Sequence, residues 1–127
     1  MSLATSESLD HSDLEQLANL PFGKLVSLLR ALFDLSQKEL SEVLGVNERT
    51  VGRWEQDSTQ TPHGQNRRAI DALKTIAEAL GDLFEPEIIK IWVNKPNPAL
   101  NGERPRDYAR KPGGLYRISA LLGTNGR

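Results

Sequence analysis

The feature that most constrains this chain is the segment from residue 35 to residue 57, where two short helix patterns meet at a glycine. Ser36 is followed three residues later by Glu39, and this capping box predicts that a helix begins at Gln37. We expect that helix to end at Gly45, because glycine readily adopts the positive φ that ends a helix. The missing side chain also permits a tight turn into the next helix.

The helix predicted after this turn has an apolar side and a polar side. Asn47 can cap it, and Val51 and Trp54 are three residues apart, so both are expected in the core. In a helix-turn-helix the second helix enters the major groove and the first crosses the DNA backbone. Polar side chains around the turn and at the start of the following helix are therefore candidates for DNA contact. They are Gln37, Lys38, Asn47, Glu48, Arg49, Thr50, Arg53 and Arg67.

Two arginines are the strongest base-reading candidates. Arg49 and Arg53 are four residues apart and share one helix face, from which they can reach base edges or phosphates. A bidentate arginine–guanine pair contributes about 1–3 kcal/mol of discrimination. Two interpretations of Glu48 stay open, since it can accept a bond from a cytosine amino group or hold a neighbouring side chain in position.

The remaining candidates lie where the DNA backbone is expected. Gln37 and Lys38 begin the first helix of the pair, near the phosphates. Arg67 and its neighbour Arg68 begin the following helix. For this pair, phosphate contact and a solvated charge pair are both open.

Apolar spacing predicts further helices around this unit. Residues 22–34 repeat apolar side chains every three or four positions, and so do residues 65–80, with Gly81 as the expected stop. A short helix capped by Ser12 is expected to carry Leu14, Leu17 and Leu20 inward. Residues 1–11 are predicted to be a mobile leader, and residues 58–64 a loop in which His63 has a structural or solvated role.

The second half has a different chemistry. A dense apolar helix is predicted after Pro86, followed at 94–108 by a connection too rich in Pro, Asn and Gly for regular structure. Pro105 can start a helical turn. A last helix is expected at 115–122 with Leu115, Ile118, Leu121 and Leu122 inside, followed by a mobile tail.

Composition excludes several function classes. The 127 residues contain no cysteine and two isolated histidines, which removes disulfides, thiolate chemistry and histidine-rich metal sites. We find no nucleophile with a base, paired acids or phosphate-cradling loop, so an enzyme, a metal and a cofactor are not expected. No run approaches the roughly 18 apolar residues of a membrane span, and the N-terminus lacks the order of a signal peptide. The cytoplasm is the expected location.

Residues 22–81 resemble the Xre family of DNA-binding domains, the Cro and repressor type. The shared motifs are Ser-Gln-Lys-Glu-Leu at 36–40, Leu-Gly-Val at 44–46 and Thr-Val-Gly-Arg-Trp-Glu at 50–55. Ser41 departs from the alanine that the family more often carries, but serine is small enough to fit there. The resemblance implies a Cro/repressor-like helical bundle that binds DNA.

Residues 85–122 resemble the toxin-binding domain named after the Xre, MbcA and ParS antitoxins. The shared pattern is a tryptophan helix around Trp92 followed by Pro-Asn-x-x-Leu-x-Gly-x-x-Pro, which occupies residues 96–105. The order of the two domains matches antitoxins paired with RES-domain toxins. The resemblance implies that such toxins consume NAD and that the antitoxin's C-terminal domain covers the toxin's active site.

Toxin contacts are predicted from exposed basic and aromatic side chains in this second domain. The loop residues Asn97, Pro98, Asn101, Gly102 and Pro105 are interpreted mainly as setting the path of the chain, with partner contact as the alternative. The tail is expected to reach into a pocket of the toxin. The toxin-binding candidates are Arg104, Arg106, Tyr108, Arg110, Lys111 and Arg127.

The sequence thus predicts an all-α protein with a leader at 1–11, a helix-turn-helix domain at 12–81 and a toxin-binding domain at 82–127. Its predicted function is to neutralise a RES-domain toxin and to repress its own operon. Because one recognition helix reads one half-site, we expect a homodimer or a larger assembly with toxin on operator DNA. The alternative is a stand-alone transcription regulator whose C-terminal domain dimerises or binds another protein.

Overall fold

The computed structural model describes residues 14–57 and 64–124. In chain order the described α-helices are α1 (Phe22–Leu32), α2 (Gln37–Leu44), α3 (Glu48–Gln56), α4 (Gly64–Leu83), α5 (Pro86–Asn94), α6 (Pro105–Tyr108) and α7 (Gly114–Leu121). Short 3₁₀ helices occupy Leu17–Asn19 and Pro98–Leu100. Within these ranges the β-structure is limited to one isolated antiparallel bridge between Asn97 and Glu103. The prediction of an all-α fold is therefore confirmed.

The helix-turn-helix forms from local signals, as predicted. The Ser36 hydroxyl accepts a bond from the Glu39 amide at 3.0 Å, and the Glu39 carboxylate accepts one from the Ser36 amide at 2.9 Å. Gly45 ends α2 with a φ of 73°. The Asn47 side chain caps α3 by accepting the Thr50 amide at 3.0 Å. The turn between the two helices is therefore fixed at both ends by capping interactions.

One hydrophobic core runs through the molecule, and α4 packs against both parts of the chain. Trp54 of α3 is buried and meets Phe22 edge to face, with ring centroids 5.5 Å apart. Leu73 of α4 is fully buried, as are Ile89 of α5 and Ile118 of α7, and all belong to the same cluster. Burying each such side chain stabilises the fold by about 1.5–3 kcal/mol. The domain boundary predicted after residue 81 stays a prediction. Side chains from both sides of it belong to one apolar core.

Gly81 does not end α4, contrary to the sequence-based prediction. The helix continues to Leu83, because packing overrides the weak helix propensity of glycine. The side chain of Leu14 lies against this position, and a Cβ added to Gly81 would be 3.5 Å from the Leu14 Cδ1. Leu14 and Leu17 are buried as predicted, whereas the predicted cap Ser12 lies outside the described residues, as do the leader and His63.

The Pro/Asn/Gly-rich connection folds into a compact loop. Asn97 caps the 3₁₀ helix by accepting the Ala99 amide, and its own amide bonds the Glu103 carbonyl at 3.0 Å. Asn101 adopts a left-handed φ of 61°, which asparagine tolerates. Leu100 anchors the loop in the core with no exposed surface. These contacts favour the interpretation that the loop residues shape the domain.

The last helix differs from its prediction at one position. Leu115 and Ile118 are buried, but Leu121 is 40% exposed because α7 turns it away from the side that packs on α4. Thr124 is buried, and its hydroxyl donates to the Ser119 carbonyl at 3.1 Å. Residues 125–127 lie outside the described ranges.

Candidate functional site

The outward surface of α3 carries most of the predicted DNA-contacting residues. Asn47, Glu48, Arg49 and Arg53 are all exposed. Thr50 is half-buried, and its hydroxyl donates to the Asn47 side chain at 3.1 Å. Among the described residues, no acidic side chain forms an ion pair with Arg49 or Arg53. Two free guanidinium groups therefore project from one face of the helix.

Gln37 is held against α3 by a network that sequence reasoning missed. Its Nε2 donates to Glu55 at 2.7 Å, and Arg30 of α1 donates to the same carboxylate at 2.7 and 3.2 Å. The amide of Gln37 lies over Gly52, where an added Cβ would be 3.6 Å from the Gln37 Oε1. The Glu55 side chain is only 9% exposed, so water screens these bonds weakly. The network ties α1, α2 and α3 together beside the exposed arginines.

The other predicted DNA contacts lie around this surface. Lys38 is exposed at the start of α2, and Glu48 has no ion pair with a basic side chain in the described ranges. Arg67 pairs with Asp71 one turn later at 3.5 Å, both largely exposed, and Arg68 is exposed as well. The free protein therefore holds Arg67 in a solvated pair.

Arg106 makes its contacts inside the molecule. Its Nη1 donates to Asp34 and to Asn94, each at 3.1 Å, and its Nη2 donates to both oxygens of Glu39 at 3.0 and 3.1 Å. Only 15% of its side chain is exposed. We call these four residues the Arg106 cluster. It joins the end of α1, the start of α2, α5 and α6.

The acidic members of the Arg106 cluster are themselves constrained. Asp34 adopts a left-handed φ of 55° and also accepts a bond from the Asn94 amide at 3.1 Å. The pKa of Glu39 lies below its ordinary value, first because of the bond from the Ser36 amide and also because of the nearby charge of Arg106. The helix cap and the ion pair therefore share one ionised carboxylate.

Arg110 is a second link to α2. Its guanidinium bonds Glu42 at 2.7 Å and lies 3.8 Å from Glu39 and 3.6 Å from Asp107. The ion pair between Arg110 and Glu42 thus connects α2 with the segment after α6. Neither residue spacing nor the family resemblance predicted this pair. Helix α2 is consequently held from both sides, by Gln37 with Glu55 and by two arginines from the C-terminal part.

The remaining toxin-binding candidates lie nearer the surface. Arg104 pairs with Asp107 at 2.7 Å, which raises the pKa of Arg104. Lys111 bonds Glu103, which raises the pKa of Lys111, and its ammonium lies 5.7 Å from the ring centre of the half-buried Tyr108. The fourth candidate, Arg127, lies outside the described residues.

No helix within residues 14–57 and 64–124 combines the length and apolar character needed to cross a bilayer. The same residues include no group of three or more histidine and acidic side chains placed to hold a metal ion.

The comparisons with known proteins agree with both resemblances. Residues 26–83 match the family described as helix-turn-helix, and residues 77–124 match the family described as the antitoxin Xre/MbcA/ParS C-terminal toxin-binding domain. The mycobacterial cidal antitoxin MbcA of Mycobacterium bovis and that of Mycobacterium tuberculosis are each 26% identical over 88 residues, which is 69% of this chain and 76% of theirs.

A solved structure is similar as well. It is the crystal structure of the M. tuberculosis MbcT–MbcA toxin–antitoxin complex, in which the matching chain gives a TM-score of 0.57 at 25% identity. The match covers 80% of this chain and 89% of that chain. The helix-turn-helix and the MbcA-like domain after it are thereby established.

Proposed function

Because the chain is homologous to the antitoxin MbcA, we propose that it neutralises a cognate RES-domain toxin and represses its own operon by binding DNA. The observation that carries this proposal is the order of two units. A helix-turn-helix with unpaired arginines on its recognition helix is followed directly by a segment that matches a toxin-binding domain. Each half of the proposed function has its own surface.

The DNA-binding half rests on the free guanidinium groups of α3. Arg49 and Arg53 have no internal ion pair to break in the described structure, so they can form bidentate bonds to guanine at little cost in stability. Gln37 is positioned by Glu55 beside them, and Lys38 lies at the first turn of α2. Arg67 contributes to phosphate binding if it exchanges its exposed partner Asp71 for DNA.

The toxin-binding half is proposed for the surface around α6 and the tail. RES-domain toxins consume NAD according to the family resemblance, and the C-terminal domain is proposed to cover that active site. Arg106 is committed to its cluster and Arg110 to Glu42 of α2, so we assign both a supporting role. Tyr108 and Lys111, with Arg104 and Arg127, are the proposed contacts. Both partners would be met in the cytoplasm.

Co-expression with the product of the adjacent reading frame, as the candidate toxin, tests the toxin-binding half. Growth inhibition by the toxin alone, relieved by this chain, is the expected result. The matched variants are Lys111→Glu, which is expected to weaken neutralisation, and Lys24→Glu, which changes an exposed charge on α1 and should have no effect. Continued toxicity in the presence of the folded wild-type chain would refute the proposal and favour a stand-alone regulator.

A gel shift on the DNA upstream of the gene tests the repressor half. We expect a sequence-dependent complex that weakens as salt rises, because basic side chains displace counterions from phosphates. If no sequence-dependent complex forms, either with or without toxin, autorepression is refuted. The proposal of toxin neutralisation is not affected by that result.

A further inference from the structure

The outer face of α5 leaves large apolar side chains in water. Ile91 is 59% exposed and Ile88 is 42% exposed, while Ile89 and Val93 on the opposite face are fully buried. Leu83, at the end of the preceding helix, is 61% exposed. Ile88 and Ile91 are three residues apart on one side of α5, and adjacent exposed apolar side chains of this size are characteristic of an interaction surface. Since the inner face is anchored in the core, the outer face is presented on a rigid helix.

The charges on this face follow a symmetric pattern. Glu87 and Ile91 are four residues apart and share one side of α5, and this row ends four residues later at Lys95, the C-cap of the helix. Glu87 and Lys95 are exposed, and neither forms an ion pair within the described ranges. Glu87 and Lys95 lie at equal separations from Ile91 in opposite directions. The row is therefore self-complementary when it meets a reversed copy of itself.

We propose that a second copy of this chain docks on this face, with the two α5 helices antiparallel about a two-fold axis at Ile91. Ile91 then meets Ile91 of the second copy, and Glu87 of each chain faces Lys95 of the other. A two-fold contact requires such a self-complementary patch, whereas a toxin surface would not require the symmetry. The inference deepens the proposed function, because an operator with two half-sites needs two recognition helices.

Charge-reversal variants test the register of this pairing. Glu87→Lys places lysine against lysine at two symmetric positions, and Lys95→Glu places glutamate against glutamate. Each variant alone is expected to raise the dimer dissociation constant by about tenfold, since attraction becomes repulsion at both pairs. An equimolar mixture of the two variants restores opposite charges at both positions and is expected to recover the wild-type affinity. The double variant Glu87→Lys/Lys95→Glu should recover it as well.

The measurement is sedimentation equilibrium of the full chain without DNA or toxin. Glu78→Lys and Lys24→Glu are matched controls, because they make the same charge changes at exposed positions on α4 and α1. Both controls are expected to dimerise like the wild type. Far-UV circular dichroism checks that all variants are folded.

Three results would overturn the inference. The first is a wild-type chain that stays monomeric over the whole concentration range. The second is a dimer dissociation constant of the single variants equal to that of the controls. The third is a mixture of the two variants that dimerises no more tightly than each variant alone. Loss of toxin binding by Glu87→Lys with unchanged self-association would assign the face to toxin instead. Failure of the proposed function is a separate outcome, because a charge-dependent dimer that neither neutralises toxin nor shifts operator DNA would leave this interface intact.

Discussion

The arginines of α3 and those around α6 look alike in the sequence but differ in the molecule, because the first are free and the second are bonded to other side chains. Arg49 and Arg53 are exposed without ion pairs in the described ranges. Arg106 is bonded to Asp34, just after α1, and to Glu39 of α2, and Arg110 is bonded to Glu42 of α2. A free guanidinium group is available to a partner at little cost. One held by several acceptors maintains the fold, so the same residue type supports binding in one region and architecture in the other.

The sharpest expected difference between the regions comes from two glycines. A Cβ on Gly114 would lie 1.9 Å from the Tyr108 carbonyl oxygen, so Gly114→Ala must shift the backbone between α6 and α7. We expect a loss of roughly 3 kcal/mol in the free energy of unfolding, measured by urea denaturation. Gly52→Ala is the matched control in α3, where only the flexible Gln37 side chain is near, and it should be neutral or stabilising by up to about 1 kcal/mol. Equal changes in the free energy of unfolding for Gly114→Ala and Gly52→Ala would show that the close contact at Gly114 does not constrain the backbone.

Removing Arg106 should be the next largest change. Arg106→Ala leaves Asp34 and Glu39 without their shared cation, and we expect a loss of about 2–3 kcal/mol, below the value for fully buried pairs because both carboxylates are partly exposed. Arg106→Lys should recover only part of the loss, because an ammonium cannot reproduce the planar guanidinium geometry. Thermal unfolding measures both variants. A stability equal to that of the wild type would return Arg106 to the list of partner contacts.

In contrast to Arg106→Ala, Arg49→Ala should weaken DNA recognition and leave stability almost unchanged. We expect sequence discrimination to fall by about 1–3 kcal/mol at one base pair, with the free energy of unfolding within about 0.5 kcal/mol of the wild type. Competition gel shifts with single-base operator variants measure the first quantity, and urea denaturation the second. Glu78→Lys is the control for a change of exposed charge away from α3. Equal weakening on every DNA sequence would make Arg49 a phosphate contact instead.

The smallest expected effect is a pH dependence at the Arg106 cluster. The pKa of Glu39 is lowered below its ordinary 4.5, so its contribution to stability is complete above about pH 4.5 and is lost as the pH falls through the lower folded value. Denaturation between neutral and acidic pH should show this decline. Glu39→Gln should flatten it while lowering stability at neutral pH. An unchanged slope in this variant would assign the acid sensitivity to other carboxylates.

Much of the helix-turn-helix was predictable because its determinants are local. Ser36 with Glu39, the turn at Gly45 and the cap at Asn47 act over a few residues, and the structure confirms each. The exposed position of Arg49 and Arg53 also followed from helical period. The stop predicted at Gly81 was wrong, because tertiary packing carries α4 through that glycine.

The partners of charged side chains were not predictable in the same way. Arg106 and Asp34 are 72 residues apart in the chain, and Arg110 and Glu42 are 68 apart, so spacing gives no signal of either pair. The sequence by itself determined the helices, their caps and the core faces, because these depend on short-range backbone and solvation preferences. Only the tertiary structure decided which arginines are free to meet a partner, since long-range packing brings the C-terminal arginines onto the carboxylates of the helix-turn-helix.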